Sequence, residues 1–206
     1  MEINNINVNV KNGDVTEESV DCIVVPEFTS CASLGGVGRS ITRAGMQEGM
    51  DAYEKIASEN ALLPGYAVIT DSGKKGVKLA HVATAGVDED SQLGAVQMAM
   101  FTTLVSANKQ GLKHIAVPEL GTGIIGSLTQ EQSAKAVFNA VHEFSKRCPN
   151  SSIEGINFVI FRGSTAPAEK VLAEKSYIDF SGEEKGEKKF DSVAFMLEFD
   201  KILNGR

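Results

Sequence analysis

Residues 114–128 read HIAVPELGTGIIGSL: an apolar run closed by Pro118, then Gly121, Gly123 and Gly126 in quick succession. A short apolar run bounded by proline and glycine has the length of a buried strand rather than of a helix. The turn that follows carries little side-chain bulk, and glycine lets backbone N–H groups face an anion with no Cβ in the way. Thr129 and Gln132 then stand at capping-box spacing, and Ala136, Val137, Ala140, Val141 and Phe144 recur at helical intervals. The stretch is therefore expected to be strand, glycine turn and helix.

The same residues spell G-x-G-x-x-G, which raises the possibility of a dinucleotide-binding βαβ unit. That motif needs its glycines to open the helix directly, with an acidic residue closing the next strand. Here the capping signal puts the helix start after Gly126, and the next strand, INFVIF at 156–161, is followed by Arg162. Pro118 and the late position in the chain also argue against that fold.

Outward from this stretch, β-rich runs at 6–10, 22–26, 66–70, 79–84, 114–118 and 156–161 alternate with helical patterns at 38–45, 46–60, 91–110, 129–147 and 165–175. Such alternation predicts an α/β domain with a largely parallel sheet. A second glycine turn, Gly35, Gly36 and Gly38, follows the strand at 22–26 just as the first follows the strand at 114–118. In a parallel sheet both turns leave from carboxyl ends of strands, where ligands of open α/β sheets bind, and the two can form one pocket for phosphate or diphosphate. The same glycines also suit plain tight turns, and spacing by itself leaves both readings open.

The 206 residues are 42% hydrophobic and 23% charged, enough for one sizeable core. No run approaches the roughly 20 apolar residues that span a bilayer, and the first residues lack the pattern of a signal peptide, so a cytoplasmic location is expected. A net charge of −7 offers no broad basic surface for a nucleic-acid polymer. Cys22, Cys31 and Cys148 are expected to be unpaired thiols, and His81, His114 and His142 have no metal-ligand spacing, so each is read as structural or surface. No metal and no cofactor are expected. Residues 177–206 change character, with a charged segment and then Phe190, Val193, Leu197 and Ile202 at helical spacing. They are read as a solvated loop and a C-terminal helix that packs on the 1–176 domain or on a partner.

Five segments in order resemble the macrodomain family of ADP-ribose-binding modules. Gly13-Asp14-Val15-Thr16 is similar to the family's G-D-I-T, and Asp21-Cys22-Ile23-Val24 to its D-A-I-V. Gly35-Gly36-Val37 with Ile41-Thr42-Arg43-Ala44-Gly45 resembles G-G-V-x-x-x-I-x-x-A-G. Gly65-Tyr66-Ala67-Val68-Ile69-Thr70 matches G-x-A-x-x-T, and Pro118 to Gly126 resembles P-A-I-S-T-G-I-Y-G. The resemblance covers roughly residues 6–165 and implies a three-layer α/β/α sandwich with a mixed, largely parallel central sheet.

It also implies roles. Asp14, with Val15 beside it, would accept from the adenine amino group, although a G-D pair is also a common turn or helix cap. The loops holding Gly35, Gly36, Val37 and Gly38, and Gly121, Thr122, Gly123, Ile124, Ile125 and Gly126, would clamp diphosphate and distal ribose. ADP-ribose, free or on a modified protein, would be the partner.

The departures bear on catalysis. Where de-ADP-ribosylating members of the family read N-A-A-N, this chain reads Val25-Pro26-Glu27-Phe28, and Gly38 stands where an Asp usually follows G-G-V. Ile125 replaces the aromatic of G-I-Y-G, and Gly121 the serine of S-T-G. The usual groups for activating water are missing, so binding is expected ahead of ADP-ribosyl hydrolysis. Glu27 is the one weak candidate for a substitute base, its other reading being a solvent-facing strand end. Glu119 would repel a diphosphate and is expected to turn away or bond locally. Cys31 lacks an evident base. Phe28 is read either as a stacking partner for adenine or ribose, or as core.

Overall fold

The computed structural model describes residues 1–29, 31–32, 35–85, 89–123 and 126–175. Ile124, Ile125 and the segment at 177–206 lie outside the described residues. Strands are β1 (Glu2–Ile3), β2 (Ile6–Asn12), β3 (Cys22–Phe28), β4 (Ala67–Asp71), β5 (Lys78–Ala85), β6 (His114–Pro118) and β7 (Gly155–Ile160). Helices are α1 (Gly36–Arg43), α2 (Gln47–Glu59), α3 (Glu89–Lys109), α4 (Gln130–Arg147) and α5 (Ala166–Glu174), with a 3-10 turn at Val15–Glu17.

The sheet runs β1-β2-β7-β6-β3-β5-β4. Every pairing from β2 across to β5 is parallel, and only β1 on β2 and β4 on β5 are antiparallel. This is the expected mixed, largely parallel sheet. Its order differs from a dinucleotide fold, in keeping with the capping box at Thr129, whose side chain accepts from Gln132 N–H while Gln132 reaches back to Thr129 N–H.

Strand parity sorts the two layers. Cys22 and Val24 face a core with α3, α4 and α5, whereas Ile23 and Val25 face a smaller core that includes Ile41 of α1 and Met50 of α2. Phe101 of α3 meets Phe144 of α4 edge to face, and Phe138 meets Phe158 of β7 in the same way.

Strand β1 lies ahead of the first strand expected from the sequence: Ile3 and Ile6 are both buried, and the intervening Asn4, with φ of +52°, turns β1 back on β2. Asparagine tolerates that conformation better than most residues. Helix α1 begins at Gly36, two residues before its expected start at Gly38, with Val37 packed on the same core as Ile41. Gly36 and Gly38 are thus helix residues rather than loop.

Candidate functional site

Strands β3 and β6 are parallel neighbours. From β3 the chain departs through α1 and α2 toward β4 and β5 on one side, and from β6 it departs through α4 toward β7 on the other. The two connections diverge at this point, and at such a divergence open α/β sheets hold ligands in a crevice at the carboxyl ends of the strands. Both glycine-rich turns border it.

On the β3 side, Gly35 caps α1 in extended conformation without a side-chain acceptor, and Gly36 is exposed. The first-turn N–H groups of a helix have no partner within it, so this end of α1 carries partial positive charge toward the crevice. Gly38 is buried within α1, so it does not take the loop position expected for it; Gly35 is the cap and Gly36 and Val37 form the first turn of the helix.

The β6 side is built around two glycines. Gly121 has φ of +74°, and a Cβ there would also press on Leu128. A Cβ on Gly126 would stand 1.9 Å from the Gly121 carbonyl oxygen. The loop closes on itself through Gly126 N–H to Gly123 O at 2.8 Å and Leu128 N–H to Gly121 O at 3.1 Å. The buried Gln92 of α3 accepts from both Ser127 N–H and Ser127 Oγ and donates to Thr84 O at the end of β5. Thr122 donates to Glu119 O. Gly123 is exposed, and a Cβ there would meet open space. Glu119 bonds locally to Gln130, as expected, and burial raises its carboxyl above the ordinary carboxylate range despite that bond.

Asp14 is half-buried and serves as the cap of the 3-10 turn. Its Oδ1 accepts from Thr16 N–H and Oγ1, and its Oδ2 accepts from Ser40 of α1 at 3.2 Å. Burial acts to raise its carboxyl, but these hydrogen bonds outweigh it and hold the group below its ordinary value. The cap reading and the adenine reading are compatible, because a carboxylate has lone pairs for both. Val15, beside it, is buried in the smaller core.

Phe28 ends β3, half-buried, just past a register shift between Glu27 and Phe28. Glu27 takes neither role expected of it. It is 1% exposed, and its Oε1 meets His81 Nδ1 at 2.8 Å. Thr70 Oγ1 lies 2.9 Å from the other ring nitrogen of His81, and the Tyr53 ring stacks on the imidazole at 4.6 Å. The shift away from solvent follows from strand parity, which turns Glu27 under α2 with Ile23 and Val25. His81 is structural, as expected; Cys22, Cys31 and Cys148 are free thiols, and burial pushes Cys22 up to about 12.

One aromatic went unread in the sequence. Phe161 is 58% exposed immediately after β7, with Arg162 stacked over its ring. Gly13 N–H donates to Ile160 O, which brings the end of β7, and Phe161 after it, beside the Asp14 turn. The available signal was an aromatic-cation pair, Phe161-Arg162, at a strand end; its neighbour 148 residues away was not available.

The macro domain family profile matches residues 29–137. The chain is 30% identical over 165 residues to an O-acetyl-ADP-ribose deacetylase of Citrobacter koseri, covering 77% of this chain and 90% of that protein. This chain belongs to the macrodomain family. Among solved structures, a Trypanosoma brucei macrodomain in complex with ADP-ribose superposes with a TM-score of 0.66 at 20% identity, over 81% of this chain and 69% of that one. An uncharacterized Thermotoga maritima protein is 29% identical over 72% of this chain, which spans 25% of that longer relative. Among the described residues no helix is long and apolar enough to cross a membrane.

Proposed function

We propose that this chain binds ADP-ribose in the crevice between β3 and β6. The observation that carries the reading is that both glycine-rich turns leave adjacent parallel strands at the point where the chain diverges to opposite sides of the sheet. The diphosphate lies between the first turn of α1 and the 121–126 loop, where backbone N–H groups supply charge complementarity without lysine or arginine. Adenine lies between the Asp14 carboxylate and the exposed Phe161 ring, and Phe28 borders the distal ribose. The complexed macrodomain of Trypanosoma brucei supports this ligand class.

Calorimetric titration with ADP-ribose, against ADP, AMP and NADP, tests it. Micromolar or tighter binding selective for ADP-ribose is expected, and absence of ADP-ribose binding sinks the proposal. In the same titration Asp14→Ala is expected to weaken binding; unchanged affinity removes the adenine assignment.

A second reading, removal of an ADP-ribosyl or acetyl group, is favoured by the Citrobacter koseri deacetylase. Glu27 does not serve it as a base, because its carboxylate is buried against His81. Any turnover then relies on a water held by the substrate itself. Incubation with O-acetyl-ADP-ribose or an ADP-ribosylated protein separates the readings: product release at catalytic protein concentration supports the enzyme, and stoichiometric binding without product supports the binding module.

A further inference from the structure

We propose that α2 sets the shape of the ADP-ribose cleft by fastening the β3–α1 connection, with Tyr53 and Glu54 as positioning residues. This rests on the reading of the crevice as the ADP-ribose pocket. Of this connection the structure describes residues 29, 31, 32 and 35, and α2 with the segment after it bonds to Phe28, Thr29 and Ala32. Tyr53 Oη donates to the Phe28 carbonyl at 2.7 Å. Glu54 Oε2 accepts from Ala32 N–H at 2.6 Å, and Leu62 N–H donates to Thr29 O at 2.7 Å. Neighbouring residues of one helix thus grip both sides of the segment.

Tyr53 is itself fixed. Its ring lies 6° from parallel with the His81 imidazole, and His81 is held by Glu27 on one nitrogen and Thr70 on the other. Thr70 Oγ1 is also 3.4 Å from Gly49 O, so its proton has a second acceptor within α2. The Tyr53 and His81 rings and the Glu27 carboxyl are all buried, which defines their geometry by packing rather than by solvent-exposed bonds. Burial, with the nearby Glu27 and Glu54 carboxylates, pushes the Tyr53 hydroxyl above the ordinary phenol range, so it remains a donor through neutral pH. The register shift falls between Glu27 and Phe28, whose partner on β5 is Ala85, and the Tyr53 bond holds the Phe28 carbonyl at this last pair of the strand. A connection held before ligand arrives costs less ordering on binding.

Three variants and two readouts test this. Tyr53→Phe keeps the ring stack and removes the donor; Glu54→Ala removes the acceptor from an exposed position, and Glu54→Gln retains one. ADP-ribose affinity is measured by calorimetry. The labelling rate of Cys31 by a thiol reagent is measured relative to Cys148, which lies at the end of α4, with peptide mapping to separate them. Tyr53→Phe and Glu54→Ala are expected to weaken ADP-ribose binding by about threefold to tenfold, the range one hydrogen bond carries. Both are expected to raise the Cys31 to Cys148 ratio, and Glu54→Gln to restore both readouts. General loosening raises both thiols together and overturns the proposal, as does a raised ratio with unchanged affinity. Should the wild type not bind ADP-ribose, the pocket reading fails by itself, and the Cys31 ratio still decides whether α2 fastens the segment.

Discussion

Gly126 and Gly123 sit in one turn, yet they answer to different constraints. A methyl group at Gly126 collides with the Gly121 carbonyl, a backbone atom that cannot swing aside. Gly126→Ala is expected to cost roughly 1–3 kcal/mol, as overpacking does, measured by urea unfolding. Gly123→Ala meets open space at ordinary φ and is expected to leave stability within about 0.5 kcal/mol while weakening ADP-ribose binding in the calorimeter. Asp14 supplies a pH test. A depressed carboxyl in the folded state means the unfolded chain takes up the proton more readily. The group therefore adds stability above about pH 4 that is lost as pH falls through its folded value. Asp14→Asn is expected to flatten the loss of melting temperature between about pH 5 and pH 2. The sequence marked Asp14 by its motif, whereas its bonds to Thr16 and Ser40 required α1 to fold beside the 3-10 turn.

Among the elements, α3 supports the second loop much as α2 supports the first. Gln92 satisfies two donors of Ser127 and reaches back to Thr84, joining the ends of β5 and the β6–α4 loop. Gln92→Leu leaves the Ser127 N–H without that acceptor and is expected to cost about 1–3 kcal/mol in denaturant unfolding, with a parallel fall in ligand affinity. The capping box is a purely local device. Thr129→Ala is expected to cost about 1 kcal/mol, with little further effect. The capping box was legible because its partners are three residues apart. Gln92 was not, because nothing in the α3 pattern distinguishes a polar residue facing a loop from one facing solvent.

Across the whole molecule, the two cores divide the sheet by strand parity and tie the site to opposite layers. Leu104 is fully buried in the larger core with α4, and Leu104→Ala is expected to destabilise the protein by about 2–5 kcal/mol. Because the larger core lies beneath the β6 side of the crevice, partial unfolding there is expected to reach the 121–126 loop before the Asp14 turn. Hydrogen exchange measured near neutral pH reads that order directly.

The sequence by itself determined the elements other than β1, their alternation, the capping box and the glycine-rich turns, since each depends on residues a few positions apart and on periodicities of 2 and 3.6. It also carried the family's motifs in order. Only the tertiary structure decided that β3 lies beside β6, that Glu27 turns under α2 to meet His81, and that Phe161 stands beside the Asp14 turn. Those contacts join residues 54 to 148 positions apart. They are set by which faces of the sheet must be buried together, a condition that no local window of the chain contains.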